Sequence, residues 1–311
     1  MKNRIVRNMT AAMSVLLVLM LVLSCTLQAR PLAEKAHPGQ APAKLSAPRL
    51  ARGARNDAGT WQSNMLTPDP LGIMFKDKDQ IATVTFLDDL NDLPRNAWAM
   101  GKGGAPVWGW IEWDQSRAHV YFAAQGGING ELAAEGLFQD CVNLYEICFN
   151  GALHLETTKD MDNMFFNCER LEYVDTENMD TSSATTMSQM FRNCYALEEL
   201  DVSGFDTSSV KNMGCMFSTC YSLTELDLSN FDTSRVTEMG YMFSACRGLE
   251  DLDVSSFDTS RVTSMEGMFR WCYSLVEPDL SSWNVSRVQN HYGFMDEGKT
   301  INGRPWEYFF N

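Results

Sequence analysis

A motif of Met, Phe and Cys recurs every 26 residues through the second half of the chain and restricts the fold more than any other feature. In each copy a Met-Phe pair is followed, three residues after the Phe, by a Cys. The Phe of the five full copies is Phe165, Phe191, Phe217, Phe243 or Phe269. An earlier copy contains Phe138, and a degenerate seventh copy contains Phe294. A unit of this length cannot bury its apolar side alone, so the copies are expected to stack on one another.

Each repeat divides into two halves with different apolar spacing. In one unit Leu223, Leu226 and Leu228 follow the spacing of a short strand with alternate residues inward. The apolar positions of the second half recur with the spacing of one helical face and are Val236, Met239, Met242, Phe243 and Cys246. Asp232 and the Thr-Ser that follows it are helix N-cap residues. The pattern predicts an α/β solenoid, right-handed and of leucine-rich-repeat type, with one strand and one helix per repeat.

The repeat unit resembles that of the BspA-like leucine-rich-repeat surface proteins of bacteria. The resemblance rests on the pattern L-x-x-L-D-L-S-x-F-D-T-S-x-V-x-x-M-x-x-M-F-x-x-C and covers roughly residues 137–298. The segment 105–113 and the tail 294–306 resemble the flanks of that family. The resemblance implies an extracytoplasmic protein with a role in adhesion to host proteins or to other microbes. It implies no catalytic residues.

The N-terminus has the features of an export signal. Lys2, Arg4 and Arg7 precede an apolar run, 11–23, that is too short to cross a membrane comfortably. We therefore predict a signal peptide over 1–29. Two outcomes stay open: cleavage after Ala29 would release the protein, and acylation of Cys25 would anchor it to the membrane surface as a lipoprotein.

Four further segments follow the signal peptide. Residues 30–68 are rich in Pro, Ala and Arg and are predicted to form a disordered tether. Residues 69–136 alternate like strands and are predicted to form a β-rich N-terminal cap, with an aromatic glycan-binding platform as the alternative. The solenoid is assigned to 137–298 and a C-terminal cap tail to 299–311.

Acidic side chains recur at the outward positions between the inward leucines. The first column is Glu199, Glu225, Asp251 and Glu277, and the second is Asp175, Asp201, Asp227, Asp253 and Asp279. Like charges at the spacing of adjacent strands, about 4.8 Å, repel one another by about 1 kcal/mol in water. Hydrogen bonds from the turn backbone or nearby Ser residues would offset this repulsion. The alternatives are a cation such as Ca²⁺ or a basic partner.

A column of cysteines, Cys141, Cys168, Cys194, Cys220, Cys246 and Cys272, falls on the apolar face of the repeats. An exported protein favours disulfides, but a small buried residue is what this position requires, so we expect free, packed thiols. A ladder of thiols is also a poor tetrahedral zinc site.

The charge and the motifs exclude several classes of function. A net charge of −15 argues against nucleic-acid binding. Catalytic triads, phosphate-binding loops and metal motifs are missing from the sequence, so neither an enzyme nor a required cofactor or metal is expected. We predict a monomeric, exported binding protein whose acidic face recognises an extracellular or cell-surface protein of a host or microbe. The alternatives are an envelope spacer without a specific ligand and an enzyme acting on cell-surface polymers.

Overall fold

A computed structural model describes residues 78–91, 93–99, 107–130 and 134–310. All of them belong to one compact unit, Ala51–Asn311. The predicted signal peptide, the tether and Cys25 lie outside the described residues.

Ten short strands are present in the described residues. They are β1 (Ile81–Leu87), β2 (Trp98–Ala99), β3 (Trp108–Asp114), β4 (Arg117–Ala123), β5 (Ile128–Asn129), β6 (Glu146–Cys148), β7 (Leu153–His154), β8 (Tyr173–Val174), β9 (Thr300–Ile301) and β10 (Arg304–Pro305). Six form a mixed sheet in the order β2-β3-β4-β1-β6-β8, and β5-β7 and β9-β10 form two-stranded sheets. Short 3-10 helices cover Lys78–Gln80 and Trp306–Tyr308.

An antiparallel hairpin lies within the segment that is predicted to be β-rich. β3 and β4 are antiparallel around the turn at Gln115, and β4 then pairs in parallel with β1. Phe86 and Phe122 are fully buried and stack with ring centroids 5.2 Å apart. β1 also pairs in parallel with β6, which belongs to the first repeat. The N-terminal strands and the repeats therefore share one hydrophobic core.

The predicted α/β solenoid with one strand and one helix per repeat is wrong. The part of the chain that the structure describes contains no α-helix, and its regular elements are short strands in mixed and two-stranded sheets. Where the sequence predicts a helix, the backbone forms consecutive turns. The Met242 N–H donates to the Met239 carbonyl (3.2 Å) and the Cys246 N–H to the Phe243 carbonyl (3.1 Å).

Left-handed backbone explains why no helix forms. Tyr241 and Ala245 have φ of +57° and +62°, a conformation that a right-handed helix of L-residues cannot contain. The N–H groups of these residues form hydrogen bonds to the next repeat instead. The Ala245 N–H, for example, donates to the Arg270 carbonyl at 2.7 Å. Equivalent residues of successive repeats are joined by isolated parallel bridges, at Asp160, Thr186, Asn212, Glu238, Ser264 and Asn290. The repeats therefore pair in register without a helix.

Phenylalanines of the repeats form the centre of the core. Phe138, Phe165, Phe191, Phe217, Phe243 and Phe269 stack in sequence with ring centroids 4.9–5.9 Å apart. Phe294 ends this column by packing edge-on against Phe269, at 5.3 Å and 89°. The degenerate last repeat thus stops the stacking with a change of ring orientation.

The cysteine column lies beside these rings as free thiols, which confirms the prediction for Cys168, Cys194, Cys220, Cys246 and Cys272. Each of these thiols donates to the carbonyl of a Phe in an earlier repeat, as Cys220 does to Phe191 at 3.2 Å. Burial raises the pKa of Cys220 to about 12. The column is therefore a packing element with thiols that stay protonated.

Candidate functional site

The acidic columns lie where the sequence predicts, although none of their residues belongs to a strand, since β8 ends at Val174. Asp175 is half-buried, and the others are exposed: Glu199, Asp201, Glu225, Asp227, Asp251, Asp253, Glu277 and Asp279. They alternate with the buried side chains of Leu200, Leu226 and Leu252. Asp227 and Asp279 each lie close enough to Asp253 to feel its charge. The structure therefore brings these carboxylates of neighbouring repeats together on the surface.

Local hydrogen bonds hold the second column in place. The Ser229 N–H donates to Asp227 Oδ1 at 2.9 Å, and the same bond recurs at Asp201, Asp253 and Asp279. Backbone and hydroxyl hydrogen bonds from Ser229 lower the pKa of Asp227, and bonds from Ser255 lower the pKa of Asp253. This confirms the predicted offset of the charge repulsion by turn hydrogen bonds. Among the described residues no group of three or more His, Cys, Asp and Glu side chains is placed to hold a metal ion, so the geometry gives the Ca²⁺ alternative no support.

In the repeats, an Asp and a Thr follow the second acidic column, as Asp232 and Thr233 follow Asp227. The sequence did not predict their role. The Ser234 N–H donates to Asp232 Oδ1 (2.9 Å), so this Asp forms another turn and does not cap a helix. The Thr207 hydroxyl donates to the Asp232 carbonyl (3.1 Å) and accepts from its N–H (2.8 Å). The equivalent buried threonines are Thr181, Thr233 and Thr259. The recurrence of Asp-Thr-Ser in four successive repeats is the signal that points to this column.

A groove of about 400 Å³, also missed from sequence, lies on the turns of the repeats. Its aromatic lining is Tyr221, Tyr241 and Trp271, and Arg192 and Arg247 also line it. Small side chains complete the lining: Cys215, Ser218, Thr219, Ser244 and Ala245. None of the residues of the acidic columns lines the groove. The signal in the sequence is the position after the Cys in four successive repeats, which is Tyr195, Tyr221, Arg247 and Tyr273.

Stacking orders this aromatic column. Tyr195 and Tyr221 stack at 5.0 Å, and the Arg247 guanidinium lies 4.5 Å from the centre of the Tyr221 ring and 5.8 Å from that of Tyr273. Such cation–π contacts fix a guanidinium without neutralising its charge. The guanidinium of Arg247 is therefore a positive charge held in a fixed position at the wall of the groove.

A second cavity, of about 640 Å³, lies beside the last repeat and the C-terminal tail. Trp271, His291 and Trp306 line it together with Asp296 and Glu307. The His291 ring stacks on Phe310 at 4.4 Å, and buried His291 Nδ1 and Trp306 Nε1 have no hydrogen-bond partner among the described residues. The cavity has a mixed lining of carboxylates, aromatic rings and one arginine, Arg270.

Comparison with known proteins gives one family match, within the repeats. Residues 159–252 and 201–308 match the family model described as "Mycoplasma protein of unknown function, DUF285". The comparisons with curated proteins and with solved structures found no match. Nothing in these comparisons links the chain to the BspA-like family, and that resemblance stays a prediction. No helix in the described residues is long and apolar enough to cross a membrane.

Proposed function

We propose that this is an exported binding protein whose acidic columns dock a basic region of an extracellular or cell-surface protein. The resemblance to bacterial surface proteins adds to this proposal a role in adhesion to a host or to another microbe. The protein acts without catalysis, and its attachment to a membrane depends on acylation of Cys25.

The observation that carries this proposal is the fixed array of ionised carboxylates. Turn hydrogen bonds hold Asp201, Asp227, Asp253 and Asp279, and they lower the pKa of the last three. The charge of Asp253 acts on both Asp227 and Asp279, so the carboxylates of successive repeats lie close together. A pre-ordered row of one charge sign attracts and orients a complementary surface. It suits a binding face better than an inert spacer, which has no need of such a row.

Charge neutralisation tests the proposal. The binding variant carries E225Q, D227N, D251N and D253N, and the control variant carries D88N, E135Q, E156Q and E297Q. Asn also forms the turn that Asp227 and Asp253 make, so the fold is expected to survive. Each protein is used as bait with host-cell and microbial surface extracts, and every captured protein is purified for measurement of its Kd.

A specific partner is expected to bind the wild type and the control variant alike. Its Kd for the binding variant is expected to be at least about tenfold higher, and higher salt should weaken the wild-type complex. Equal capture by all three baits would contradict the proposal, and retention of no protein above a blank matrix would favour the envelope spacer.

A further inference from the structure

The groove on the turns has a charge opposite to that of the protein around it. The chain has a net charge of −15, yet the lining of the groove includes Arg192 and Arg247 and no Asp or Glu. Among the residues that the structure describes, no ion pair joins Arg192 or Arg247 to a carboxylate. Two unneutralised guanidinium groups in one concavity favour an anionic ligand.

Arg192 also has unused hydrogen-bonding capacity. Its Nη1 donates to Gln189 Oε1 at 2.6 Å, and the guanidinium lies 5.8 Å from the centre of the Phe166 ring. Its Nε is buried and has no hydrogen-bond partner in the part of the chain that the structure describes. A buried donor without an acceptor is costly, and an acceptor group of a ligand would remove that cost. A carboxylate matches the planar fork of arginine donors.

The other residues that line the groove indicate the chemistry of the rest of the ligand. Tyr221, Tyr241 and Trp271 supply aromatic surface, and the hydroxyls of Ser218 and Thr219, 3.2 Å apart, supply donors and acceptors. A ligand that fits must therefore combine an apolar face with hydroxyl groups. The volume, about 400 Å³, lies in the range of small-molecule sites. An inorganic anion would leave the aromatic rings unused, and a neutral sugar would leave both arginines unpaired.

We propose that this groove is a binding site for an acidic sugar, with its carboxylate on Arg192 and Arg247 and its ring against Trp271. The site is separate from the acidic columns and from the protein partner proposed for them. Trp271 forms one wall of the groove and is 43% exposed, so it is accessible to a ligand.

Calorimetric titration of the purified full chain tests the site with four probes. They are D-glucuronate, D-glucose as its neutral counterpart, acetate as the carboxylate alone, and inorganic phosphate. Glucuronate is expected to bind saturably at one site per chain. Glucose, acetate and phosphate are each expected to bind at least about tenfold more weakly. Equal affinity for glucose or for phosphate, or no saturable binding of glucuronate, would overturn the proposal.

Two variants and one matched control locate the site. Arg247→Gln removes the exposed charge, and Trp271→Gly removes the wall at a position with φ of +65°, which Gly adopts without strain. Both are expected to weaken glucuronate binding at least about tenfold, with thermal unfolding midpoints showing that the fold is intact. Arg261→Gln, an exposed arginine outside the groove, is expected to bind like the wild type. Unchanged affinity in both groove variants would place any glucuronate site elsewhere and overturn the assignment.

Discussion

At the scale of single residues, Thr207 connects two repeats through one hydroxyl. The side chain is fully buried, donates to the Asp232 carbonyl and accepts from the Asp232 N–H. Strands are not present at this position, so the hydroxyl supplies the pairing that a sheet would otherwise provide. Both backbone groups lose their partner if the hydroxyl is removed, which makes this a sensitive position.

Thr207→Val keeps the shape of the side chain and removes the hydroxyl. We expect it to lower the free energy of unfolding by about 2–4 kcal/mol, because two backbone groups are left unsatisfied. Thr207→Ser keeps the hydroxyl and loses one methyl group, and it should cost about 1 kcal/mol. Urea unfolding of the three proteins measures the difference. A valine variant as stable as the serine variant would show that these hydrogen bonds contribute little.

The aspartates of the second acidic column make stability depend on pH. Hydrogen bonds from Ser229 and Ser255 lower the pKa of Asp227 and Asp253 below the ordinary value of 3.8. A carboxylate with a depressed pKa stabilises the fold above its unfolded pKa, and this contribution is lost as the pH falls through the folded pKa. We therefore expect the wild type to lose more stability between about pH 5 and about pH 2 than D227N/D253N does.

Urea unfolding across that pH range compares the two proteins. Burial raises the pKa of Glu146 and Asp162 and acts in the opposite direction, but it is common to both proteins and cancels in the difference. Parallel pH profiles would rule out a contribution from the two aspartates.

At the scale of elements, the sequence predicts which residues are buried more accurately than it predicts the conformation of their backbone. Val236, Met239, Met242, Phe243 and Cys246 are all buried, as the apolar spacing requires. A spacing of three residues fits a helical face, but it fits consecutive turns with hydrogen bonds to the third preceding residue equally well. The sign of φ decides between them, and the side chain of the left-handed residue changes along the repeats. At one position these residues are Asn167, Asn193, Thr219, Ala245 and Trp271.

The same distinction explains what could be predicted of the candidate site. The outward acidic columns follow from simple alternation with buried leucines, so the sequence predicts them even though the strands are missing. The groove depends on side chains from two or three repeats that meet only after the turns form. Arg192, Tyr221 and Trp271 occupy three different positions of the repeat, so no single column of the sequence contains the site.

Asn193 tests the left-handed turn directly. Its φ is +64°, and its Nδ2 donates to Asn167 Oδ1 at 2.8 Å. Asn193→Ala should lower the free energy of unfolding by about 2 kcal/mol, because it loses the hydrogen bond and places a Cβ-bearing residue without local polar support in this conformation.

Asn193→Gly loses the same hydrogen bond but adopts positive φ freely, so it should be about 1 kcal/mol more stable than the alanine variant. Chemical unfolding of both variants beside the wild type gives the order. An alanine variant at least as stable as the glycine variant would indicate a helical backbone here, because alanine is the better helix former.

At the scale of the whole molecule, the net charge of −15 opposes the stacking that buries the Phe column. Each added repeat extends the apolar core, and it also brings another pair of exposed carboxylates near the previous pair. Local hydrogen bonds fix these groups but do not remove their charge. The fold is therefore stable because the burial of the apolar core outweighs the repulsion between exposed carboxylates. That repulsion acts through solvent, so salt screens it.

Salt should consequently stabilise this protein. Raising NaCl from about 0.05 M to about 0.5 M shortens the screening length well below 10 Å, so the urea midpoint of the wild type is expected to rise. The variant E225Q/D227N/D251N/D253N lacks four of the paired charges and should show a smaller rise. D88N/E135Q/E156Q/E297Q has the same net charge but retains the columns, and it should respond more like the wild type. If both variants lose the salt response equally, the total charge governs stability and the spacing of the columns does not; if neither loses it, the repulsion lies elsewhere in the chain.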